Sequence, residues 1–484
     1  MKILIATPEA VPFAKTGGLA DVTGALQKEY RKMGHDAYLI LPLYRRIKEN
    51  FKLENTGIKI SGTFGDRRLR GRILSDGFSA YFIECNELFD REELYGTSQG
   101  DYSDNALRFI FFSKGVIGAC RGLKFRPDII HCNDWQTAMV PLYLKTLYKS
   151  DKSFSRTASV ITIHNLGYQG LFNASEMRLT GLDWGLFNPE GIEFYGKMNF
   201  LKAGLLSADM ITTVSDSYAK EILSREYGFG LDGVLSKRAS DIFGIINSID
   251  YKEWNPLSDA FIPKNYSSKK LNGKKMCKLQ LMKECSITLG ENTPIVSMVG
   301  RLSSQKGLDL VLESLEKILS TGAAMIILGK GDENFQIRLS KAAKKYRGRL
   351  YVNIGFEDSL AHRIYAGSDI FLMPSRYEPC GLGQLIAMRY GTIPVVKRIG
   401  GLADTVSDYE PLTGEGTGFL FSDYTQSALL CALKSALCVY VNKTRWQRLA
   451  LNAMNLRFSW RASAKKYIEL YRYAIKKKTE NTRR

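Results

Sequence analysis

The chain has 484 residues, of which 45% are hydrophobic and 24% charged, and its formal net charge is +19. This length predicts more than one domain, and no apolar run reaches the roughly 18 residues that a membrane-spanning helix needs. The positive charge comes without a nucleic-acid recognition motif or a zinc-finger spacing, so we expect neither nucleic acid nor a membrane as a partner.

Short apolar strands alternate with amphipathic helical stretches along the first half of the chain, which is the pattern of α/β units on parallel sheets. The run at residues 2–7 is too short for a signal-peptide core, so it predicts a first strand and a cytoplasmic protein. The first helix is expected to end near Gly34, a residue type that suits a helix C-terminus. Strands of the first half are predicted at residues 2–7, 36–42, 129–132, 159–164 and 210–214.

The second half repeats this plan after a polar, turn-rich stretch at residues 255–275. We place a domain junction near 245–255, which divides the chain into domains of residues 1–245 and 246–456. A helix is predicted at residues 308–319. Strands of the second half are predicted at residues 294–300, 324–328, 350–354, 370–374 and 393–396.

The eight cysteines and four histidines show neither a C-x-x-C pair nor the spacing of a zinc site. We therefore expect reduced cysteines and no metal or other cofactor. The last twenty residues carry eight basic and two acidic side chains and are expected to form a solvated helix and a frayed tail. The remaining positive charge suits an enzyme that holds an anionic diphosphate.

Ligand sites of doubly wound domains lie at the carboxyl ends of the strands. The first polar loop after a strand runs from Lys15 through Gly17 and Gly18 to Asp21. Paired glycines allow a ligand close to the backbone, and the following helix start offers free N–H groups to an anion. An ordinary turn with a surface lysine fits the local sequence equally well.

Two further polar clusters follow predicted strands of the first half. Asp134 lies in the first and His164 in the second. Either side chain could stabilise positive charge at a reacting carbon or bind sugar hydroxyls. His131, at the end of its strand, is better interpreted as a core histidine with satisfied hydrogen bonds.

Two loops of the second half also connect a strand to a helix. The first contains Arg301 and Lys306, two cations beside a helix start, which suit a diphosphate leaving group. The second contains Glu378 within a stretch rich in proline, cysteine and glycine, and this carboxylate could accept hydrogen bonds from sugar or ribose hydroxyls. A glycine-bearing turn at residues 400–405 follows the next strand.

Taken together, these segments resemble the glycogen and starch synthase family of bacteria and plastids over almost the whole chain. Six motifs in order carry the resemblance: KTGGLAD at 15–21, HxxDW at 131–135, THNLxYQG at 162–170, RLSSQKG at 301–307, PSRYEPCGL at 374–382 and GGLADTV at 400–406.

The resemblance implies the GT-B architecture, in which two Rossmann-like, doubly wound α/β domains face each other across a deep cleft. It also implies that a C-terminal helix, here residues 457–476, crosses back onto the first domain. The expected activity is metal-independent, retaining transfer of glucose from ADP-glucose to the non-reducing end of an α-1,4-glucan such as glycogen.

The same resemblance implies roles for individual residues in holding the donor diphosphate, orienting the glucose and stabilising an oxocarbenium-like state. The catalytic residues it implies are Asp134, His164, Arg301, Lys306 and Glu378. The substrate-binding residues it implies are Lys15, Gly17, Gly18, Asp21, Tyr95, Asn165, Asn247, Cys380, Gly381, Leu382 and Gly383.

The chain departs from the family pattern at one of these positions and beside another. Gly383 stands where bacterial members often carry threonine, and Asn247 is followed by Ser248 where glycine is usual. Asn247 is therefore a candidate for nucleotide contact or for a hinge. Ile386 stands where a related group of sugar transferases has a second glutamate, which argues against that group.

Two alternatives stay open at this point. UDP-glucose could be the donor, because nothing in the sequence distinguishes adenine from uracil. A catalytically silent glucan-binding relative is a further alternative, although such a protein would have no physical need to keep all the charged residues of the motifs.

Overall fold

A computed structural model describes residues 1–97 and 99–483 of the chain. The chain divides into two compact units. The first comprises Met1–Val214, Ala219–Ile245 and Trp460–Arg484, and the second comprises Ser215–Tyr218 and Ile246–Ser459. Apart from the short segment Ser215–Tyr218, the chain leaves the first unit at residue 245 and returns to it at residue 460.

The first unit is built on a nine-stranded sheet, with two small antiparallel sheets beside it. The strands in chain order are β1 (Lys2–Ala6), β2 (Asp36–Pro42), β3 (Glu54–Phe64), β4 (Arg67–Ser75), β5 (Ala80–Glu84), β6 (Gly96–Thr97), β7 (Gly100–Asp101), β8 (Ile129–Asn133), β9 (Ala158–Ile163), β10 (Leu171–Asn173), β11 (Glu193–Phe194), β12 (Lys197–Asn199), β13 (Met210–Thr213) and β14 (Ile242–Gly244). The large sheet has the order β14-β13-β9-β8-β1-β2-β5-β4-β3. Its strands pair in parallel except β3 with β4 and β4 with β5.

Helices follow most of these strands. Those of the first unit are α1 (Gly18–Lys32), α2 (Arg45–Asn50), α3 (Asn86–Phe89), α4 (Asn105–Gly122), α5 (Met139–Lys145), α6 (Met177–Thr180), α7 (Phe200–Ser207) and α9 (Asp232–Lys237), and α8 (Asp216–Glu221) spans the point where the division falls. The parallel strands are buried on both faces, as expected for a sheet covered by helices.

The second unit has a six-stranded, fully parallel sheet with the order β17-β16-β15-β18-β19-β20. Its strands are β15 (Ile295–Val299), β16 (Ala324–Gly329), β17 (Leu350–Ile354), β18 (Ile370–Met373), β19 (Ile393–Lys397) and β20 (Phe419–Phe421). Its helices are α10 (Asn272–Glu284), α11 (Leu308–Ser320), α12 (Glu333–Lys345), α13 (Asp358–Gly367), α14 (Gly383–Arg389), α15 (Gly400–Thr405), α16 (Gln426–Val441) and α17 (Lys443–Asn455), and α18 (Trp460–Arg483) follows in the first unit. Nowhere in residues 1–97 and 99–483 is a helix both long and apolar enough to cross a membrane.

Each large sheet contains a topological switch point. In the first unit β1 lies between β2 and β8, and in the second unit β15 lies between β16 and β18. The strand order reverses at β1–β8 and at β15–β18, and connections leave such a pair in opposite directions. This opens a crevice beyond the carboxyl ends of the strands, which is where ligands bind in sheets of this kind.

The predicted strands are confirmed, each to within one residue at either end, and so is the helix predicted at 308–319. Gly34 has φ 82° just beyond the end of α1, as a helix-terminating glycine should. The β3–β4 hairpin was not predicted. Its outward-facing positions are charged or polar, so it carries no continuous apolar run.

The expectation of a solvated helix and frayed tail at residues 465–484 is wrong for residues 465–478, and the side chains of residues 481–484 lie outside the described residues. Helix α18 packs against α1 and β9 and buries Tyr467, Tyr471 and Ala474. These side chains recur at the spacing of one helical face, so the basic residues lie on the rest of the surface. Lys477 forms an ion pair with Asp241, which fixes this part of the helix further.

Candidate active site

The carboxyl ends of β1, β8 and β9 carry the polar side chains of the first unit. Glu9 follows β1, Asn133 ends β8, and His164 follows β9 directly. These three strands are neighbours and parallel, so their ends meet at one edge of the sheet, beside the β1–β8 switch point. The predicted residues Asp134 and His164 are therefore brought together, and two residues that sequence reasoning missed, Glu9 and Asn133, lie with them.

Glu9 organises the glycine loop before α1. Its buried carboxylate accepts hydrogen bonds from the Thr16 backbone N–H, from the Thr16 hydroxyl at 2.6 Å and from the Gly17 N–H at 3.3 Å. The Tyr95 hydroxyl donates to the same carboxylate at 2.6 Å. Tyr95 and the loop are thus tied to one buried anion. An acid placed three residues after a buried strand was the sequence signal that could have revealed it.

Lys15 and Asp21 form an ion pair across the glycine loop, with the Lys15 Nζ 2.8 Å from the Asp21 carboxylate. The Lys15 side chain is about half exposed. A surface pair of this kind contributes only about 0–1 kcal/mol, so Lys15 can exchange Asp21 for an anionic ligand at little cost. Gly17 precedes α1 and Gly18 is its first residue.

Asp134 and His164 are linked directly. The His164 backbone N–H donates to the Asp134 carboxylate at 2.7 Å, and the His164 Nε2 lies 2.9 Å from the Asn133 Oδ1. The Asn133 Nδ2 donates to the Ala6 carbonyl at 3.1 Å, which orients the amide so that its oxygen faces the imidazole. His164 therefore carries its proton on Nε2, and its Nδ1 is an acceptor for a ligand hydroxyl.

Burial changes the ionisation of both side chains. It raises the pKa of Asp134 to about 7, with Glu9 adding to the effect, although the backbone N–H groups of His164 and Asn165 lower this pKa. It lowers the pKa of His164 to about 3, so the ring is neutral. Asp134 also has φ 55°, an unusual backbone conformation for a residue with a side chain. Strain of this kind concentrates at functional sites.

In the second unit a cavity of about 130 Å³ opens at the β15–β18 switch point. Its walls come from the ends of both strands, from the loops that follow them and from two helices. The lining residues are Met298, Val299, Gly300, Lys306, Tyr365, Met373, Ser375, Leu382, Gly383 and Ile386. The cavity is mostly apolar with one cation at its edge, and Tyr365 is a lining residue that sequence reasoning missed.

Lys306 and Glu378 form the charged centre of this region. The Lys306 Nζ lies 2.5 Å from the Glu378 carboxylate, which also accepts the Ser375 hydroxyl at 3.0 Å. The Glu378 side chain is 6% exposed and that of Lys306 is 25% exposed. Arg301 is exposed beyond the end of β15. Arg301 and Lys306 lie in the same loop, because both follow β15 and precede α11.

Gly307 explains why the two loops can meet. It has φ 76°, and a Cβ atom at this position would lie 2.0 Å from the Pro374 carbonyl oxygen. Only glycine permits both the left-handed conformation and this approach. The loop that carries Lys306 is thereby held against the loop that carries Glu378.

The loop after β18 continues through Cys380 to the start of α14. Burial raises the pKa of the Cys380 thiol to about 12, so this cysteine is a protonated, inert side chain. Gly381 has φ 77°, Leu382 is the residue before α14, and Gly383 is its first residue. Asn247 lies beside this loop, because its backbone N–H donates to Cys380.

Asn247 is buried, and its side-chain oxygen has no hydrogen-bond partner among the described residues. A buried polar atom without a partner costs free energy unless a ligand or water satisfies it. This is what a ligand-contact residue requires, so Asn247 stays a candidate for nucleotide contact.

The surroundings of Gly383 leave little space for a side chain at this position. A Cβ atom at this position would lie 2.8 Å from the Phe371 ring and 3.4 Å from the Met373 sulfur. The ring of Phe371 on β18 thus occupies space that a larger side chain at 383 would need.

No group of three or more histidine, cysteine, aspartate or glutamate side chains in the described part of the chain is arranged to hold a metal ion. The eight cysteines are all unpaired; six are buried, and Cys431 and Cys438 on α16 are exposed.

Two family models match the chain. Residues 2–237 match the starch synthase catalytic domain, and residues 285–447 match the glycosyl transferases of group 1. The glycogen synthase of Syntrophotalea carbinolica is 47% identical to this chain, over 98% of this chain and 99% of its own length.

Two solved structures are similar as well. The catalytic domain of starch synthase IV from Arabidopsis thaliana, bound to ADP and acarbose, has a TM-score of 0.91 and 32% identity, over 98% of this chain and 99% of that chain. Sucrose-phosphate synthase from Thermosynechococcus elongatus has a TM-score of 0.62 over 98% of both chains, and at 17% identity this likeness shows the fold alone. The chain therefore belongs to the glycogen and starch synthase family of glycosyltransferases and has its GT-B fold of two α/β domains.

Proposed function

We propose that this protein is a glycogen synthase that transfers glucose from ADP-glucose to the non-reducing end of an α-1,4-glucan, with retention of the anomeric configuration. The observation that carries the proposal is the cavity at the β15–β18 switch point, with the Lys306–Glu378 pair at its edge. A largely apolar space beside a fixed cation suits a nucleoside diphosphate sugar. The Arabidopsis relative, which was solved with ADP bound, supports adenine as the base.

We assign Lys306 and Arg301 of the second unit to the donor diphosphate. Lys15 of the first unit is a further candidate for a phosphate contact, because it can exchange Asp21 for an anionic ligand. The leaving diphosphate gains negative charge as the glycosidic bond breaks, so cations positioned in advance stabilise the transition state more than the ground state. This assigns to lysine and arginine the work that a divalent ion performs elsewhere.

For the glucose we assign roles to Asp134 and His164 of the first unit and to Glu378 of the second, each from its own surroundings. His164 accepts a sugar hydroxyl at its Nδ1, because Nε2 is committed to Asn133. Ionised Asp134 stabilises the positive charge that develops at the anomeric carbon. Glu378 is buried and oriented by two donors, which suits a carboxylate that positions hydroxyl groups.

The remaining predicted residues shape the substrate sites. Tyr95 and the glycines of the α1 loop are organised by Glu9, and Asn165 adds a backbone N–H to Asp134. The nucleotide side comprises Asn247, Cys380, Gly381, Leu382 and Gly383. We assign residues 1–245 and 457–476 to an acceptor-side domain and residues 246–456 to a nucleotide-sugar domain.

The transfer proceeds on the front face of the sugar, without a glucosyl-enzyme intermediate. A retaining hydrolase uses two carboxylates about 5–5.5 Å apart, one of them as the nucleophile. Here Asp134 has a neutral histidine as its neighbour, and Glu378 is engaged by Lys306 and Ser375. The departing diphosphate therefore accepts the proton of the acceptor hydroxyl. A stable glucosyl adduct on Asp134 or Glu378, detected by mass spectrometry when acceptor is withheld, would overturn this mechanism.

The donor is tested by measuring glucose incorporation into glycogen from ADP-glucose and from UDP-glucose side by side. We expect kcat/KM for ADP-glucose to exceed that for UDP-glucose at least tenfold. A preference for UDP-glucose would reverse the donor assignment and leave the transfer reaction in place. Binding of glycogen without transfer from either donor would instead identify a catalytically silent relative.

A further inference from the structure

A chain of buried hydroxyl groups and one imidazole runs beneath the polar cluster of the first unit. The Tyr30 and Tyr471 hydroxyls are 3.0 Å apart, and the Tyr471 hydroxyl lies 2.7 Å from the His131 Nδ1. The His131 Nε2 lies 2.6 Å from the Thr162 hydroxyl, which lies 2.6 Å from that of Thr212. All five side chains are fully buried. The family motif that supplies Asp134 also supplies His131, which the proposed mechanism does not use.

His131 determines which groups donate and which accept along this series of hydrogen bonds. Burial lowers its pKa to about 3, so the ring is neutral and one nitrogen donates while the other accepts. Burying these polar groups costs desolvation free energy that apolar side chains of the same shape would not cost, so stability alone does not explain their presence. Hydrogen-bonded chains in a low dielectric are rigid and specify one arrangement, which is the property that a site support needs.

The hydrogen-bonded series includes a residue from each of the two strands, β8 and β9, that precede the candidate catalytic side chains. His131 lies on β8 two residues before Asn133, and Thr162 lies on β9 two residues before His164. Asn133 and Thr162 are register partners, and the Asp134 N–H donates to the Thr162 carbonyl at 3.0 Å. The His131–Thr162 hydrogen bond therefore joins the two strands diagonally, immediately beneath the Asn133–His164 contact.

On its other side, His131 is hydrogen-bonded to Tyr471 of α18, which lies 340 residues further along the sequence. Tyr471 projects from the buried face of this helix, and its ring also packs against those of His131 and Tyr30. The last helix of the chain is thus hydrogen-bonded to the strand that ends in Asn133.

We propose that Tyr471 and His131 are positioning residues for the transfer reaction, which hold the ends of β8 and β9 at the separation that joins Asn133 to the His164 ring. Neither residue touches substrate. The inference rests on the proposed function, and it adds that the C-terminal helix is a working part of the catalytic machinery of the first unit.

Two isosteric substitutions test it. Tyr471→Phe removes the hydroxyl that meets His131, and Thr162→Val removes the hydroxyl on the other side of the ring. Tyr143→Phe is the matched control, because this tyrosine of the same unit is equally buried and its hydroxyl donates to the Thr180 carbonyl at 3.2 Å. We expect kcat to fall about 5- to 30-fold for Tyr471→Phe and Thr162→Val, with both KM values within twofold of wild type.

The control separates positioning from simple stability. All three variants are expected to lower Tm by a few degrees, because each loses a buried hydrogen bond. Only Tyr471→Phe and Thr162→Val should lower kcat. If they keep kcat within twofold of wild type, as Tyr143→Phe is expected to do, the inference is wrong.

A spectroscopic measurement without substrate tests whether Tyr471 positions the His164 ring. Nitrogen-15 NMR of the labelled His164 ring should show the Nε2–H tautomer in the wild type and a mixture of tautomers in Tyr471→Phe. An unchanged His164 spectrum would overturn the inference even if activity fell. Should Thr162→Val fail to fold, Tyr471→Phe supplies both measurements. A wild-type enzyme that transferred no glucose would refute the proposed function, while the His164 spectra would still decide the role of Tyr471.

Discussion

The Lys306 ammonium lies 2.5 Å from the Glu378 carboxylate, and the Glu378 side chain is almost fully buried. Their adjacency depends on Gly307, the one residue type that lets the two loops approach so closely. A buried carboxylate with a partly exposed cation is an asymmetric pair. Removal of the lysine leaves the buried Glu378 carboxylate without its cation. In the wild type, Lys306 is exposed enough to reach a ligand.

Lys306→Ala and Arg301→Ala should each cost about 2–4 kcal/mol of transition-state stabilisation, which corresponds to roughly 30- to 1000-fold in kcat/KM. The reason is the negative charge that the diphosphate gains as it leaves. Steady-state kinetics with the natural donor measure the effect, and Lys317→Ala, at an exposed lysine on α11 of the same unit, is the control. If a variant keeps near-normal kcat and only binds the donor more weakly, the substituted residue does not stabilise the leaving group.

Activity should survive exhaustive EDTA treatment without added magnesium. The motivation is that Lys15, Arg301 and Lys306 supply positive charge, and that no metal-ligand group occurs among the described residues. The assay compares chelated enzyme with and without restored divalent ions. Complete loss of activity that a divalent ion restores would contradict this prediction.

Asp134→Asn should abolish transfer and stabilise the protein at alkaline pH. The pKa of Asp134 is about 7 when folded, well above its ordinary value of 3.8, so folding favours the protonated form. Its contribution to stability is complete below pH 4 and is lost as the pH rises through 7. At pH 8 the variant should gain about 2 kcal/mol, after allowance for partial exposure of the carboxyl.

Urea unfolding at pH 4.5 and pH 8 measures this difference, because most of the contribution is present at the first pH and none of it at the second. Asp66→Asn, at a carboxyl that is almost fully exposed, serves as the control and should change stability at neither pH. Activity of the wild type should rise with pH through about 7 as Asp134 ionises. An equal stability change at both pH values would show that the Asp134 carboxyl is not the group responsible.

Gly383→Thr should destabilise the second unit by about 1–3 kcal/mol, because the new side chain would press on the Phe371 ring. A second substitution, Phe371→Leu, should recover part of this loss in the double variant and reveal coupling between the two positions. Gly233→Thr is the control, since a Cβ atom at Gly233 in α9 has no neighbour within 4 Å. Additive effects in the urea-unfolding cycle would disprove the steric link.

Much of the fold and many of the candidate residues could be predicted from the sequence, because the relevant signals are local. Buried parallel strands are short apolar runs, and the loops that follow them carry the candidate residues. Asp134, His164 and Glu378 became candidates in this way. Asn247 became a candidate through the family motif, and its buried side-chain oxygen has no hydrogen-bond partner among the described residues.

The sequence by itself thus determined the succession of strands and helices and the loops in which ligands would be sought. Only the tertiary structure decided which distant residues support them, such as Glu9 with Tyr95, Tyr471 with His131, and Phe371 beneath the glycine at the start of α14. The physical reason is that periodicity and turn chemistry act over a few residues. A hydrogen bond or a ring contact between residues hundreds of positions apart leaves no local pattern, and it exists only after the sheets have set the positions of both partners.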